Sequence, residues 1–538
     1  MPSDCISFQE TGYFSSLICD YLDQKEKITP FYERFPNIGN FRAQIQEKQQ
    51  SFTNNNRKVL VDSLRGQYTK LNVSTQSNSN IELLLRDSTF TITTGHQLNL
   101  FTGPLYFLYK IISTINLTEK LKKEYPDYDF VPVYWMASED HDFLEINHFT
   151  LHGKKISWNK AEGLENANGY VGNYDTKGLN EVYEVLEAEL GGGKNATYLK
   201  QLFKKGYLEH DNLTEASRYI VNELFGMYGL VIIDGNDAKL KSLFIPTLKQ
   251  ELTKNTAFAS VTKTTEKLTS LGYKAQVTPR EINLFYGVAG YRERIIEAEN
   301  NSFATVDYKY IWDSTETIIA EIDKYPERFS PNALMRPVYQ EVILPNLCYI
   351  GGGGELAYWF QLKDSFKAFG IPFPILLLRN SALLISKKQK TKLEQLFVLP
   401  QELFMKPSEL INYKVRQISD ISIDFAPQKL LLEKQFKALK VLAVQTDKSF
   451  IGAVNAQCKK QLKGLDKLEK RLLKAQRLKL SDHVSRLTAI HNELFPQQSL
   501  QERKSNFSEF YLDYGENLIP ELKRELDPLK QDFSLIFL

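Results

Sequence analysis

Four ionisable side chains stand shoulder to shoulder in Ser138-Glu139-Asp140-His141-Asp142, and Glu145 and His148 follow closely. The cluster sits directly after the apolar run 131–137. Carboxylates at the end of a buried strand are costly to desolvate unless water or a ligand reaches them. With an imidazole among them they suit three kinds of chemistry: holding a substrate amine, orienting a base, or binding Mg2+. An acid-rich helix start explains part of the pattern, but not the histidine inside it. Asp140, His141 and Asp142 are therefore the candidate catalytic groups. His141, Glu145 and His148 would share one face of a helix. The two histidines are seven apart, whereas a helix that pairs metal ligands spaces them by four, so no metal is expected.

A second constellation lies in "TFTITTGHQLNLFTGPLYFLYK", where a β-branched run ends in Gly95-His96-Gln97 and a Gly103-Pro104 break precedes a helical pattern. Gly95 permits close backbone approach, and His96, Gln97 and Asn99 offer hydrogen bonds to a phosphate or an adenosine. A third is "NLCYIGGGGELAYWFQLK". Strand, glycines and helix can cradle a phosphate, but Glu355 at the helix start would repel one. A ligand ammonium or hydroxyl suits Gly351, Gly352 and Glu355 better. Arg336 in "FSPNALMRPVYQ" and Arg379 in "LLLRNSALL" stand at turns or strand ends, where arginine meets a carboxylate or phosphate, either from a ligand or in a structural ion pair. The lysines of "SKKQK" read as a solvated helix start.

These side chains need a scaffold. The runs 89–94, 131–137, 230–233, 347–350 and 375–378 are continuously apolar or β-branched, as strands buried on both faces of a parallel sheet are. Their alternation with helical patterns predicts a doubly wound α/β core. Its ligands bind beyond the strands' carboxyl ends, so the loops after His96, Asp140 and Gly351 are expected to share one rim. Intervals at about 149–216 and 254–329 hold their own turns and read as insertions. The core is placed at 1–400. A helical coiled-coil domain follows at 401–510, where Leu432, Phe436, Leu439 and Leu442 begin a three-and-four seam and a break at 446–449 predicts a hairpin. Residues 511–538 are expected to pack back on the core. Nine Lys or Arg between Lys459 and Lys479 read as the solvated face of the coil.

The chain has 538 residues, 42% apolar and 25% charged, enough for several domains with sizeable cores. Its 67 basic and 65 acidic residues leave a net charge of +2, which gives no support for a nucleic-acid or membrane surface. Apolar runs are too short to span a bilayer, and no basic-then-apolar leader opens the chain. Cys5, Cys19, Cys348 and Cys458 form no pairing pattern, as expected of free thiols in a reducing cytoplasm.

Together the motifs at 94–106 and 131–148, with "LFGMYGLVIIDGNDAKL", "FSPNALMRPVYQEVILP", "YIGGGGELAYWFQLK", "GLDKLEKRLL" and "LFPQQSLQERKSNF", resemble the cysteine-adding ligase family of bacillithiol biosynthesis. The resemblance implies a Rossmann-like nucleotidyltransferase core with two connective insertions, related to class I aminoacyl-tRNA synthetases, and a C-terminal coiled-coil domain that makes a homodimer. It implies a cytoplasmic ligase that joins L-cysteine to glucosaminyl-malate in the last step of that pathway. His96-Gln97-Leu98-Asn99 falls where the synthetases carry His-x-x-His. The family commonly has glutamine at the His96 position, which suits a hydrogen-bonding role. Because a free carboxylate is a poor electrophile, ATP or ADP is the expected nucleotide. Arg336 or Arg379 would meet the malate. The alternative is a nucleotide-binding coiled-coil scaffold or sensor without turnover.

Overall fold

The continuous apolar runs become five strands: β1 (Thr89–His96), β2 (Asp129–Met136), β3 (Val231–Asp234), β4 (Asn346–Gly351) and β5 (Ile375–Leu378). All pair in parallel in the order β5-β4-β1-β2-β3. This computed structural model describes residues 4–159 and 169–538. Every residue of β1 is buried, so its threonine hydroxyls need internal partners. Thr93 donates to Asn346 Oδ1 at 2.8 Å and Thr94 to the Ile350 carbonyl at 2.8 Å, tying β1 to β4. Phe90, Ile92, Phe130, Leu347, Ile350 and Leu377 pack with Leu117 and Leu121 in one core cluster, each fully buried side chain contributing roughly 2 kcal/mol.

Strand order locates the ligand crevice. The chain leaves β1 toward β2 and β3, then returns on the other side as β4 and β5. The reversal lies between β1 and β4, and ligands of open α/β sheets bind there, beyond the strands' carboxyl ends. Register places those ends level: His96 pairs with Met136, and Thr94 with Ile350. Helix α1 (Tyr106–Glu124) follows β1, α2 (Met335–Ile343) precedes β4, and α3 (Gly353–Trp359) follows it.

A second, antiparallel sheet takes its strands from 284–331, in the order Ile311–Trp312, Phe303–Thr305, Tyr291–Glu297, Leu284–Val288, Phe329–Pro331. Val288 pairs with Tyr291 across Ala289-Gly290, and Gly290 has φ +70°, a conformation glycine adopts without strain.

The chain clusters into two compact units. The larger comprises residues up to Leu383 together with Ser499–Ile536; the smaller is Leu384–Gln498 with Phe537–Leu538. In the larger, Asp4–Ile6 pairs antiparallel with the C-terminal strand (Asp4 opposite Leu535). In the smaller, α4 (Ala426–Val444) and α5 (Lys448–Lys479) form the expected hairpin, with Asp447 capping α5 by accepting from Ser449 N–H at 2.6 Å. Lys429 reaches Asp466 and Glu469, and Arg416 also meets Glu469. Most of the basic run stays exposed, as a solvated face should. "SKKQK" starts a helix, Lys387–Gln395, capped by Ser386.

Candidate active site

A cavity of about 640 Å3 opens at the carboxyl ends of β1, β2 and β4, a volume suited to a small-molecule substrate. Gly95, His96 and Gln97 line it from β1, Asp140 and His141 from the end of β2, and Tyr349, Glu355 and Tyr358 from β4 and α3. Arg336 enters from α2, and Phe285 and Arg292 from the antiparallel sheet. Loops after His96, Asp140 and the β4 glycines do converge.

Beneath this cavity lies a charge that the sequence reading passed over. Lys110, 2% exposed, donates from Nζ to Glu355 Oε1 at 2.6 Å and to the Gly95 carbonyl at 2.6 Å. Glu355 also accepts from Tyr349 Oη at 2.7 Å and from Gly352 N–H at 3.2 Å. Burial acts to raise the Glu355 carboxyl, but the Lys110 cation with these donors more than reverses it and holds the group below the usual carboxylate range. The pair locks β1 to the start of α3. A Cβ at Gly95 would approach Tyr349 Oη to 3.2 Å, which accounts for glycine at this crossing. Gly351 and Gly352 shape the turn but are not among the lining residues, and Gly352 N–H is spent on Glu355. The glycine turn thus offers that donor to its own helix and not to a phosphate.

On the opposite wall, Gln97 Nε2 donates to Asp140 Oδ2 at 2.7 Å and to Glu145 Oε2 at 2.9 Å. Asp140 Oδ1 accepts from the His141 N–H at 2.7 Å. His141 Nδ1 lies 3.2 Å from Arg292 Nη1. A guanidinium only donates, so Nδ1 is the acceptor and the ring proton is assigned to Nε2. Glu139 borders the cavity yet is tied at 2.5 Å to Lys241, a fully buried lysine that also donates to the Phe329 carbonyl at 2.8 Å.

Besides Gly351 and Gly352, three expected residues stand apart from the cavity. Asp142 is the N-cap of a single-turn helix, Phe143–Ile146, accepting from Glu145 N–H at 3.3 Å. That helix is too short for the proposed shared face, and His148 instead opens a strand, opposite Ser157. Asn99 packs on Gly103 and donates weakly to the Glu145 carbonyl at 3.4 Å. Arg379, 3% exposed, bonds Glu502 at 2.7 Å, so it forms the structural ion pair and not a cavity wall. Among the described residues no group of three or more His, Cys, Asp or Glu is placed to hold a metal ion.

His96 is buried, its ring edge-on to Tyr106 and tilted on Phe107, and its Nε2 has no partner. Burial first, then Lys110 and Arg379, depresses its pKa well below the ordinary 6.5. An imidazole neutral when folded but free to protonate when unfolded makes stability fall as pH drops below about 6.5, by roughly 1.4 kcal/mol per unit. His96→Gln is therefore expected to flatten the acid side of the stability profile. Urea midpoints of the two proteins measured between pH 7 and pH 5 should diverge, and parallel curves would show that His96 titrates alike in both states.

Sequence reasoning also missed Arg292, Phe285 and Tyr349. Lys110 carried a signal, being a lone cation inside the apolar "LYFLYKIIST". Arg292 carried none, since nothing local marks which residue of a remote sheet reaches the crevice.

The family description "Bacillithiol biosynthesis BshC, N-terminal Rossmann-like domain" matches residues 1–380, and "Bacillithiol biosynthesis BshC, C-terminal coiled-coil domain" matches 382–538. Curated relatives named "Putative cysteine ligase BshC" include one from Christiangramia forsetii, 57% identical and covering 100% of this chain and 99% of its own. Another, from Flavobacterium johnsoniae, is 55% identical with 100% of both chains covered. A third, from Cytophaga hutchinsonii, is 37% identical over 97% of this chain and 96% of its own. A solved structure from Campylobacter jejuni, named a "putative arginyl t-RNA synthetase", overlays with a TM-score of only 0.22 at 8% identity, covering 85% of this chain and 98% of its own.

Proposed function

This chain belongs to the bacillithiol biosynthesis BshC family, and on that premise we propose that it is a ligase joining the carboxyl group of L-cysteine to the amine of glucosaminyl-malate, in the last step of the pathway. The observation that supports this reading is the meeting of an acid–amide–imidazole wall (Asp140, Gln97, His141) with cationic side chains across one cavity. Such a site can accept a proton on one side and anchor anions on the other.

Amide formation needs an activated carboxyl group and a neutral amine. A nucleotide, ATP, supplies the activation. The cavity's aromatic lining, Trp135 and Tyr106, fits a nucleotide, and the unpartnered His96 Nε2 offers it a hydrogen bond. The nucleotidyltransferase-like core and its two insertions belong to the same reading. The chain's own residues do the rest. Gln97 holds the Asp140 carboxylate in place, and Asp140 takes the proton from the attacking amine as the C–N bond forms and the C–O bond between the activated carboxyl carbon and its leaving group breaks. The His141 Nε2–H donates to the oxygen on which negative charge develops. Supplying the purified protein with cysteine, glucosaminyl-malate and ATP, and separating thiol-labelled products, tests this. Absence of bacillithiol, while the Flavobacterium johnsoniae relative makes it in parallel, would sink the proposal.

The coiled coil is the proposed homodimer contact of this cytoplasmic enzyme. Leu431, Leu439 and Leu442 on α4 are exposed, an apolar stripe that soluble helices seldom leave uncovered. Light scattering is expected to give twice the chain mass, and Leu439→Glu with Leu442→Glu the single mass. A wild-type monomer at micromolar concentration removes the dimer from the reading.

A further inference from the structure

Most buried cations in the larger unit come with an acid partner, Arg218, held by the Gln67 carbonyl at 2.9 Å and its Oε1 at 3.1 Å, being an exception. Lys48 meets Glu341 at 3.0 Å, Lys110 meets Glu355 at 2.6 Å, Lys241 meets Glu139 at 2.5 Å and Arg379 meets Glu502 at 2.7 Å. Arg57 has no acid but donates to three backbone carbonyls, of Leu84, Thr89 and Asp87, at 3.0, 2.9 and 3.2 Å. This is the physical rule for charges taken out of water: leaving one unanswered costs several kcal/mol.

Arg292, buried, and Arg336, half-buried, also lack an acid partner, and unlike Arg57 these two line one cavity. Arg292, 9% exposed, stacks 3.8 Å from the Phe285 ring centroid. Its polar contacts are Ser330 Oγ at 3.3 Å and His141 Nδ1 at 3.2 Å, both neutral acceptors. Arg336 donates to Gln340 Oε1 at 3.0 Å and Tyr358 Oη at 3.4 Å, and lies within 5.8 Å of the Trp135 ring and 5.6 Å of the Tyr349 ring. Among the described residues neither has a carboxylate within ion-pair distance. Two guanidiniums, each fixed by aromatic faces and neutral hydrogen bonds, have forks left for planar anions. They arrive at the same cavity from different elements, α2 and the antiparallel sheet.

We propose that Arg292 and Arg336 jointly hold the two carboxylates of the amine substrate, which makes the antiparallel sheet at 284–331 the specificity element of the site. This rests on the ligase reading above, because it assigns a dicarboxylate to one of that reaction's partners. The chemistry favours that partner over cysteine. Cysteine brings one carboxylate, and that group must stay free to be activated. A dicarboxylate anchored on the arginines leaves its sugar amine to reach Asp140.

Calorimetric titration of the full chain with L-malate tests the assignment, using Arg292→Gln, Arg336→Gln and the Lys variants of each, with urea midpoints confirming that every variant folds. Wild type is expected to bind L-malate and not its diamide. Each Gln variant should weaken L-malate binding by about tenfold or more, the loss of a charge-assisted hydrogen bond, and each Lys variant should recover part of it. In turnover the KM for glucosaminyl-malate should rise while the cysteine KM holds. No L-malate binding by wild type, unchanged binding in folded Gln variants, or a loss of ATP binding in place of malate binding would overturn the proposal. Arginine-dependent malate binding without any ligase product would leave this inference standing and remove the ligase reading, so the two fail separately.

Discussion

Asp140→Asn is expected to lower kcat by about 10²- to 10⁴-fold, the range for loss of a positioned proton acceptor, with the fold retained. The carboxylate sits at the rim, not in the core, so removing its charge costs little stability. Its two oxygens divide the work: Oδ1 accepts the His141 N–H, and Oδ2 accepts from Gln97. Asparagine keeps one acceptor but presents an amide N–H to Gln97 Nε2, itself a donor held by Glu145 at 2.9 Å. Gln97 cannot turn its amide over without aiming its oxygen at the Glu145 carboxylate. The variant therefore loses both the proton acceptor and the ordering of the loop. Single-turnover product formation with saturating substrates measures the first, and KM values within a few fold of wild type separate it from lost binding. Wild-type kcat in a folded Asp140→Asn protein would take Asp140 out of the chemistry.

Arg379→Ala is expected to destabilise the larger unit by about 3–5 kcal/mol, the cost of stranding one partner of a buried ion pair. Glu502 is fully buried, and its oxygens accept from Arg379 at 2.7 Å and from Ala382 N–H at 3.2 Å. Arg379 also donates to the Asn380 carbonyl at 2.8 Å and Ser381 Oγ at 2.9 Å, and lies 4.8 Å from the Tyr106 ring centroid. It joins the end of β5 to the segment that returns after Gln498. Adding Glu502→Gln should restore much of the loss, since glutamine keeps the acceptor for Ala382 without the stranded charge. Urea midpoints of the wild type, the single variant and the double variant check this. A single variant as stable as wild type but with a raised substrate KM would return Arg379 to the ligand.

Local pattern carried far in some places. Five runs of apolar residues became five parallel strands, with ends moved by one or two positions, because a strand buried on both faces has no polar alternative at any residue. The helical hairpin was legible from apolar residues that repeat at helical spacing, although Leu439 and Leu442 of that stripe stay exposed. Short-range chemistry was less reliable. Asp142 and Asp140 are two residues apart in one acidic cluster, yet one caps a helical turn and the other faces the cavity. Arg379 and Arg336 both follow strand or turn signals, yet one found Glu502 and the other found none.

The sequence by itself determined the parallel sheet, the coil, the family and the three loops from which the site is drawn, since each is written in local periodicity or contiguous motif. Only the tertiary structure decided which charges are already neutralised. Lys110 and Glu355 are 245 residues apart, Arg379 and Glu502 are 123 apart, and His141 and Arg292 are 151 apart. Whether a buried charge is closed or open to a ligand depends on the partner that folding brings to it, and Coulomb attraction at contact distance has no signature along the chain.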